Sequence, residues 1–313
     1  MYKPFTPIDQ QIELMQSRGM GTGTSTRSVL EREGYYAIIN GYKDPFIDQE
    51  ATRLAGDDRF LDGTTFEQVY ALFLFDRNLR FLLFEIMTDA EALLRTCCSY
   101  TFSESHPDEK NAYLNPDNYI LEGDRQRKVT GLIRALEKVI RTSEENRDGN
   151  GKAYMIHCLQ HHDGEVPLWV LANDLTIGQI YWFFQALTMQ DRGTIARRFT
   201  DLYAQSHKTA VEINSARLDT VYRRVKDFRN ICAHDERLYC AHPHDKNATA
   251  FQLVRDLRFL TTKPRYLEFL QQLRSLLAKL DDKIPGRMDY VYASMGSSGL
   301  AELDDYMEEI RKC

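Results

Sequence analysis

The chain has 313 residues, 43% hydrophobic and 27% charged, with a formal net charge of −6. Its apolar content suffices for a core, which excludes disordered, collagen-like and low-complexity classes. The acid excess excludes a protein that coats duplex DNA through a general basic surface.

The start, Met1-Tyr2-Lys3-Pro4-Phe5, has no apolar run behind its positive charge, so no signal peptide is expected. The longest apolar runs, such as 71–75 and 81–84, fall far short of the roughly 18–20 residues that span a bilayer, so no membrane contact is expected. Six Cys without a Cys-x-x-Cys pair make no disulfide scaffold, and reduced thiols in a cytoplasmic protein are expected.

Residues 17–28 read as a loop. Gly19, Gly21 and Gly23 lie in it, but the Gly-Lys-Ser/Thr ending of a phosphate loop is missing and no strand precedes it. Tyr35, Tyr36, Asn40 and Tyr42 form an aromatic and polar cluster. Packing with hydroxyls at the surface is the ordinary reading, and stacking of Tyr36 and Tyr42 on RNA bases is the functional one. Thr64 and Glu67 have capping-box spacing. They precede a long amphipathic pattern (Phe66, Val69, Phe73, Leu79, Leu83, Ile86, Ala90, Leu93, Cys97) that predicts one long helix with at most one break.

Asp124 is placed to cap a helix carrying Val129, Leu132, Leu136 and Val139, which stops in the polar run 142–151. Thr176 and Gln179 form a second capping-box pair ahead of Ile180, Trp182, Phe183, Phe184 and Leu187. Asp191 is placed to cap a helix with Ile195, Phe199 and Leu202. Two-residue alternation is rare, so the fold expected is all-α, a multi-helix bundle. A loop at 294–299 and a short acidic surface helix close the chain.

His157 and His161 share a helix face beside His162. The His-Glu-x-x-His pattern and an obvious third ligand are missing, so no metal and no cofactor are expected. No Gly-x-Ser-x-Gly elbow marks a Ser nucleophile.

The informative segment is 211–239. Val211, Asn214, Leu218, Val221, Val225, Phe228 and Cys232 recur at steps of three and four and define a core face. Arg223, Asp227, Asn230, His234 and Arg237 run along the opposite side, towards solvent or a partner chain. A solvated polar face is the ordinary reading of such a stripe. From 208 to 237 there are seven basic and five acidic residues, a surplus of +2 in an acidic protein. That field suits a cleft rather than a long RNA track. Asp227 is expected to pair with Arg223 or Arg224.

The run Arg229-Asn230-Ile231-Cys232-Ala233-His234, followed by Arg237-Leu238-Tyr239, resembles the Arg-Asn-x3-His signature of HEPN nuclease-like domains. In detail it looks like the Abi family of bacterial abortive-infection proteins, the AbiD/AbiF-like group. The similarity includes Tyr35, Tyr36, Asn40, Gly41 and Tyr42; Leu72, Phe75, Asp76, Leu79, Arg80, Glu91 and Arg95; and Trp169 with Gly178. It spans about residues 2–240. The resemblance implies a HEPN-like helical core, a metal-independent ribonuclease active in phage defence or toxin-like growth arrest, and a homodimer in which two motifs meet. The Tyr that some HEPN toxins carry two residues after the His is here Glu236, which speaks against control by modification at that place.

RNA carries its own nucleophile, the 2′-hydroxyl. In this reading His234 moves protons, Arg229 binds the phosphate with a planar fork of donors, and Asn230 orients the ring or holds a phosphate oxygen. Arg237, Arg223 and Lys226 are expected to contact RNA. In a regular helix Arg229 and His234 point about 140° apart. A helix end or distortion near 232–236 is therefore expected, and a straight helix with Arg229 buried in an ion pair would count against catalysis. The rival is a non-catalytic module holding a small structured RNA, which could also serve as regulator. The expected division is a helical region 1–115 and a HEPN-like region 116–313, packed either as two bodies or as one.

Overall fold

A computed structural model describes residues 5–121, 123, 125–145 and 152–313. It is all-α. Among the described residues fourteen α-helices run in chain order: α1 (Ile8–Ser17), α2 (Thr26–Glu33), α3 (Gln49–Ala55), α4 (Phe66–Ser105), α5 (Arg125–Glu145), α6 (Ala153–His161), α7 (Leu168–Leu171), α8 (Ile177–Ala186), α9 (Met189–Ala204), α10 (Ser215–Ala233), α11 (Ala250–Leu257), α12 (Lys263–Asp281), α13 (Met288–Met295) and α14 (Leu300–Lys312). Among the described residues no strand forms. Two isolated bridges, Gly21 to Thr65 and Ile47 to Phe60, are the extent of β pairing. The chain groups into two compact units, each made of separate stretches.

The first unit gathers 5–84, 231–252 and 267–311. The expected loop at 17–28 is shorter, because α2 already begins at Thr26. Helix α4 is one unbroken helix of 40 residues. Its capping box is one residue later than the sequence pattern indicates. The Thr65 hydroxyl accepts from the Gln68 amide, and the Gln68 side chain accepts from the Thr65 amide. Thr64 is instead buried, its carbonyl accepting from Gly21 and its amide donating to Leu61. Residues 66–84 of α4 bury Phe66, Val69, Leu72, Phe75, Leu79 and Leu83.

Helix α13 ends at Gly296, whose φ of +81° forms a left-handed cap. A Cβ there would meet the Thr249 hydroxyl at 2.3 Å, so glycine is required by space as well as by backbone conformation.

The second unit gathers 85–230, 253–266 and 312–313. Residues 85–105 of α4 bury Leu94, Cys97, Cys98 and Phe102, while Leu93 of the predicted stripe is only half-buried. Phe102 packs on Tyr119 and Phe183 at 5.9 and 5.3 Å between centroids. Burial pushes the Cys97 thiol up to about 11, as suits an inert core sulfur.

Helix α5 buries Val129, Leu132 and Leu136 and continues to Glu145, beyond the predicted stop. Asp124, its expected cap, and 146–151 lie outside the described residues. Helix α8 has the expected Thr176–Gln179 capping box. The cap of helix α9 lies three residues before the expected Asp191. Thr188 is the N-cap and accepts from the Asp191 amide, while the Asp191 carboxylate accepts from Thr188 and Ser105. Tyr203, not Leu202, completes its buried face.

Candidate functional site

Helix α10 carries the informative run. Asn214 is its cap, accepting from the Arg217 amide at 2.9 Å, and is not a member of the apolar stripe. Leu218, Val221, Tyr222, Val225 and Phe228 form the buried face. Tyr222 escaped the pattern because its hydroxyl reads as polar. It is satisfied by the Ala90 carbonyl at 2.8 Å.

The helix ends at Ala233, so His234 is the first residue beyond it. Asp235 takes a left-handed conformation, with φ of +56°. The Glu236 amide donates back to the Ile231 carbonyl at 3.1 Å. This is a Schellman-type stop with Asp where glycine is usual. His234 and Asn230 are both exposed.

The segment after His234 is held by a buried network within the first unit. The Asp76 carboxylate, with no exposure, accepts from the Leu238 and Tyr239 amides and from the Tyr42 hydroxyl. Arg80, four residues along α4 and 4% exposed, donates to Asp76 at 2.6 Å, to the Glu236 carbonyl at 3.2 Å and to Asp235 at 2.5 Å. Burial pushes the Asp76 carboxyl up, while Tyr42, Arg80 and the two amides pull the other way. A charge in such a place is tolerable only with a full set of donors. Sequence reasoning placed Asp76 and Arg80 in the family pattern but gave them no task. Two opposite charges one turn apart among Leu72, Phe75, Leu79 and Leu83 are the signal that marks them.

Beside this network lies a cavity of about 210 Å³ lined by Tyr36, Asn40, Tyr42, Arg80, Asp235 and Arg237. One wall is a π-helical turn, Tyr36–Asn40, an uncommon element that often accompanies function. Arg237 donates to the Gly41 carbonyl at 2.8 Å and lies 4.0 Å from Asp44. Thus three residues picked from distant parts of the sequence, Tyr36, Tyr42 and Arg237, line one depression. Only Tyr36, 78% exposed, presents its ring to solvent. Tyr42 is buried against Phe73 and Tyr239, so its ring is not open to a base.

The other candidates belong to the second unit. Arg229 is half-buried, and its Nε lies 3.4 Å from Oε2 of Glu91, a buried carboxylate that Arg95 also engages. Arg223 pairs with Asp219 at 3.8 Å. Lys226 lies 3.0 Å from Asp227 and over the Tyr181 ring. Asp227 therefore pairs with Lys226, while Arg224 takes Asp256. His157 sits ring to ring with His161 and His162, at 4.7 and 5.5 Å. Among the described residues, no three His, Cys, Asp or Glu side chains are grouped to hold a metal ion. No helix of the described residues is long and apolar enough to cross a membrane.

A family model described as Abi-like protein covers residues 28–240, more than half of the chain. No curated protein and no solved structure matches.

Proposed function

We propose, since the chain belongs to the Abi-like protein family, that it acts in abortive infection as a metal-independent endoribonuclease of HEPN type. The observation that carries this reading is the placement of His234. It stands exposed at the capped end of α10, while four of the five residues after it, Asp235, Glu236, Leu238 and Tyr239, are tied to a buried Asp76–Arg80 pair. A buried charge pair is costly to desolvate and is sustained here only by its full set of hydrogen bonds. Fixing a proton-transfer group to a rigid support is the use that accounts for it.

In this mechanism His234 takes the proton of a 2′-hydroxyl. The 2′-oxygen forms a bond to phosphorus and the bond to the 5′-oxygen breaks. A second imidazole, the same group in a partner copy, gives its proton to the leaving oxygen. Arg229 and Asn230 hold phosphate oxygens, and the products carry 2′,3′-cyclic phosphate and 5′-hydroxyl ends. The reading includes a homodimer and a cytoplasmic setting. Purified protein is expected to cut RNA in EDTA with those end groups, and His234→Ala is expected to abolish cutting while circular dichroism stays unchanged. Full cutting by a folded His234→Ala protein rejects the reading.

A second reading has a specific observation behind it. The contact of Arg229 with Glu91 counts against a catalytic role for Arg229, which leaves a non-catalytic module that holds a small structured RNA as the rival. Tight RNA binding in EDTA with no cleavage of any RNA tested selects it.

A further inference from the structure

The second unit contains a cavity of about 560 Å³ that the proposed ribonuclease chemistry does not use. Its volume is that of ordinary small-molecule sites. Arg125 and Lys128, on the first turn of α5, line it together with Trp182 of α8. Gln185, Arg192 and Asp219 complete the part that matters. We infer that this cavity binds a nucleoside phosphate, its base stacked on Trp182 and its phosphate held by Arg125 and Lys128.

Trp182 is 55% exposed although α8 is otherwise a core helix, with Ile180, Tyr181, Phe183 and Phe184 all buried. An exposed indole that lines a cavity offers a face for a planar ring, a contact that any base makes. The charges point the same way. Asp219 is already engaged, accepting from Gln185 and Tyr181 and lying 3.8 Å from both Arg192 and Arg223. Arg125 and Lys128 are exposed, and neither is paired with an acidic group among the described residues.

The first turn of α5 contains no acidic residue and carries Arg125, Arg127 and Lys128 close together. Cations so close repel one another, and a bound phosphate relieves that repulsion. An apolar ligand would use the indole and leave that repulsion in place. Free phosphate would leave the indole unused. A nucleoside phosphate satisfies both.

The nucleotide could be free or part of an RNA strand, and the test separates the two. In the Trp169→Phe protein, Trp182 is the sole tryptophan. Its fluorescence is titrated with ADP, with a short single-stranded RNA and with inorganic pyrophosphate. Saturable quenching by ADP identifies free nucleotide, and quenching by RNA alone identifies a nucleotide within a strand. Either supports the inference when Arg125→Ala/Lys128→Ala weakens it at least about tenfold, as expected for loss of charged hydrogen bonds. Trp182→Leu, followed by calorimetry, is expected to weaken binding, and Trp182→Phe to restore most of it. No saturable response to ADP or RNA overturns the inference. So does an equal response to pyrophosphate, or unchanged affinity in the double variant. If the double variant unfolds, Lys128→Gln alone is used with the same criterion. None of these readouts depends on His234 or on RNA cleavage, so failure here leaves the ribonuclease reading untouched.

Discussion

Arg80, 4% exposed in the middle of α4, donates at 2.5 Å to Asp235, an exposed residue 155 positions later in a left-handed turn. The pair joins the support of the candidate site to the residue that follows His234. Asp235 contributes in two opposed ways. Its carboxylate engages a buried guanidinium, but its Cβ opposes the positive φ. Asp235→Ala retains the strain and loses the pair, with an expected loss of about 1–2 kcal/mol. Asp235→Gly removes the strain as well and is expected to lie within about 1 kcal/mol of the parent. Thermal melts check the order. In the ribonuclease reading both variants lose cleavage alike, because both free the turn at His234 from Arg80. Full activity in Asp235→Gly would separate the Arg80 contact from function.

Asp76 is the hinge of the same network. Its carboxylate serves two backbone amides, a tyrosine hydroxyl and Arg80, with no exposure. Asp76→Ala leaves those donors and a buried cation without their acceptor, and breaking a buried pair in this way costs about 3–5 kcal/mol. Asp76→Asn keeps an acceptor oxygen and is expected to cost less. Urea unfolding curves give both values. A loss below about 1 kcal/mol in Asp76→Ala would mean that the network contributes little.

How much of this was legible in the sequence follows from what periodicity encodes. The helical class, the continuity of α4 and the Thr176–Gln179 box were readable because each is a local pattern. Boundaries were missed wherever two residues competed for a cap. Thr65 displaced Thr64, which folding buries, and Thr188 displaced Asp191, whose carboxylate is used by Thr188 and Ser105. Apolar periodicity also hid Tyr222 and Tyr42, whose hydroxyls find partners only in the folded chain. The candidate residues Arg229, Asn230 and His234 were visible as a motif. The Glu91 contact of Arg229 and the Asp76–Arg80 anchor were not, since both join residues more than a hundred positions apart.

The Glu91–Arg229 contact separates two roles for Arg229. If Glu91 orients the guanidinium for a phosphate, Glu91→Gln keeps the fold and lowers kcat with little change in KM, and Arg229→Lys fails to restore activity because the fork is lost. If the contact is only structural, Glu91→Gln lowers the melting temperature and leaves turnover by the folded fraction unchanged. Steady-state cleavage of a short RNA, with melts on the same samples, distinguishes the two.

A pH dependence is written into the second unit at His207. The ring is buried and stacks on Tyr203 at 3.7 Å between centroids. Nδ1 donates to the Tyr203 carbonyl at 3.0 Å, while Nε2 is buried with no hydrogen-bond partner among the described residues. Burial pushes the imidazole below its ordinary value of 6.5, and the positive charges of Lys263 and Arg258 act the same way against the Tyr203 hydrogen bond. The folded protein therefore takes up this proton at lower pH than the unfolded chain does. Stability from His207 is complete above about pH 6.5 and is lost as pH falls through the folded value, because the unfolded state binds more protons in that window. His207→Gln removes the titrating group. Its melting temperature is expected to fall less than that of the parent between neutral pH and pH 5, even if the variant is less stable at neutral pH. Parallel slopes for the two proteins would show that His207 is not the group responsible.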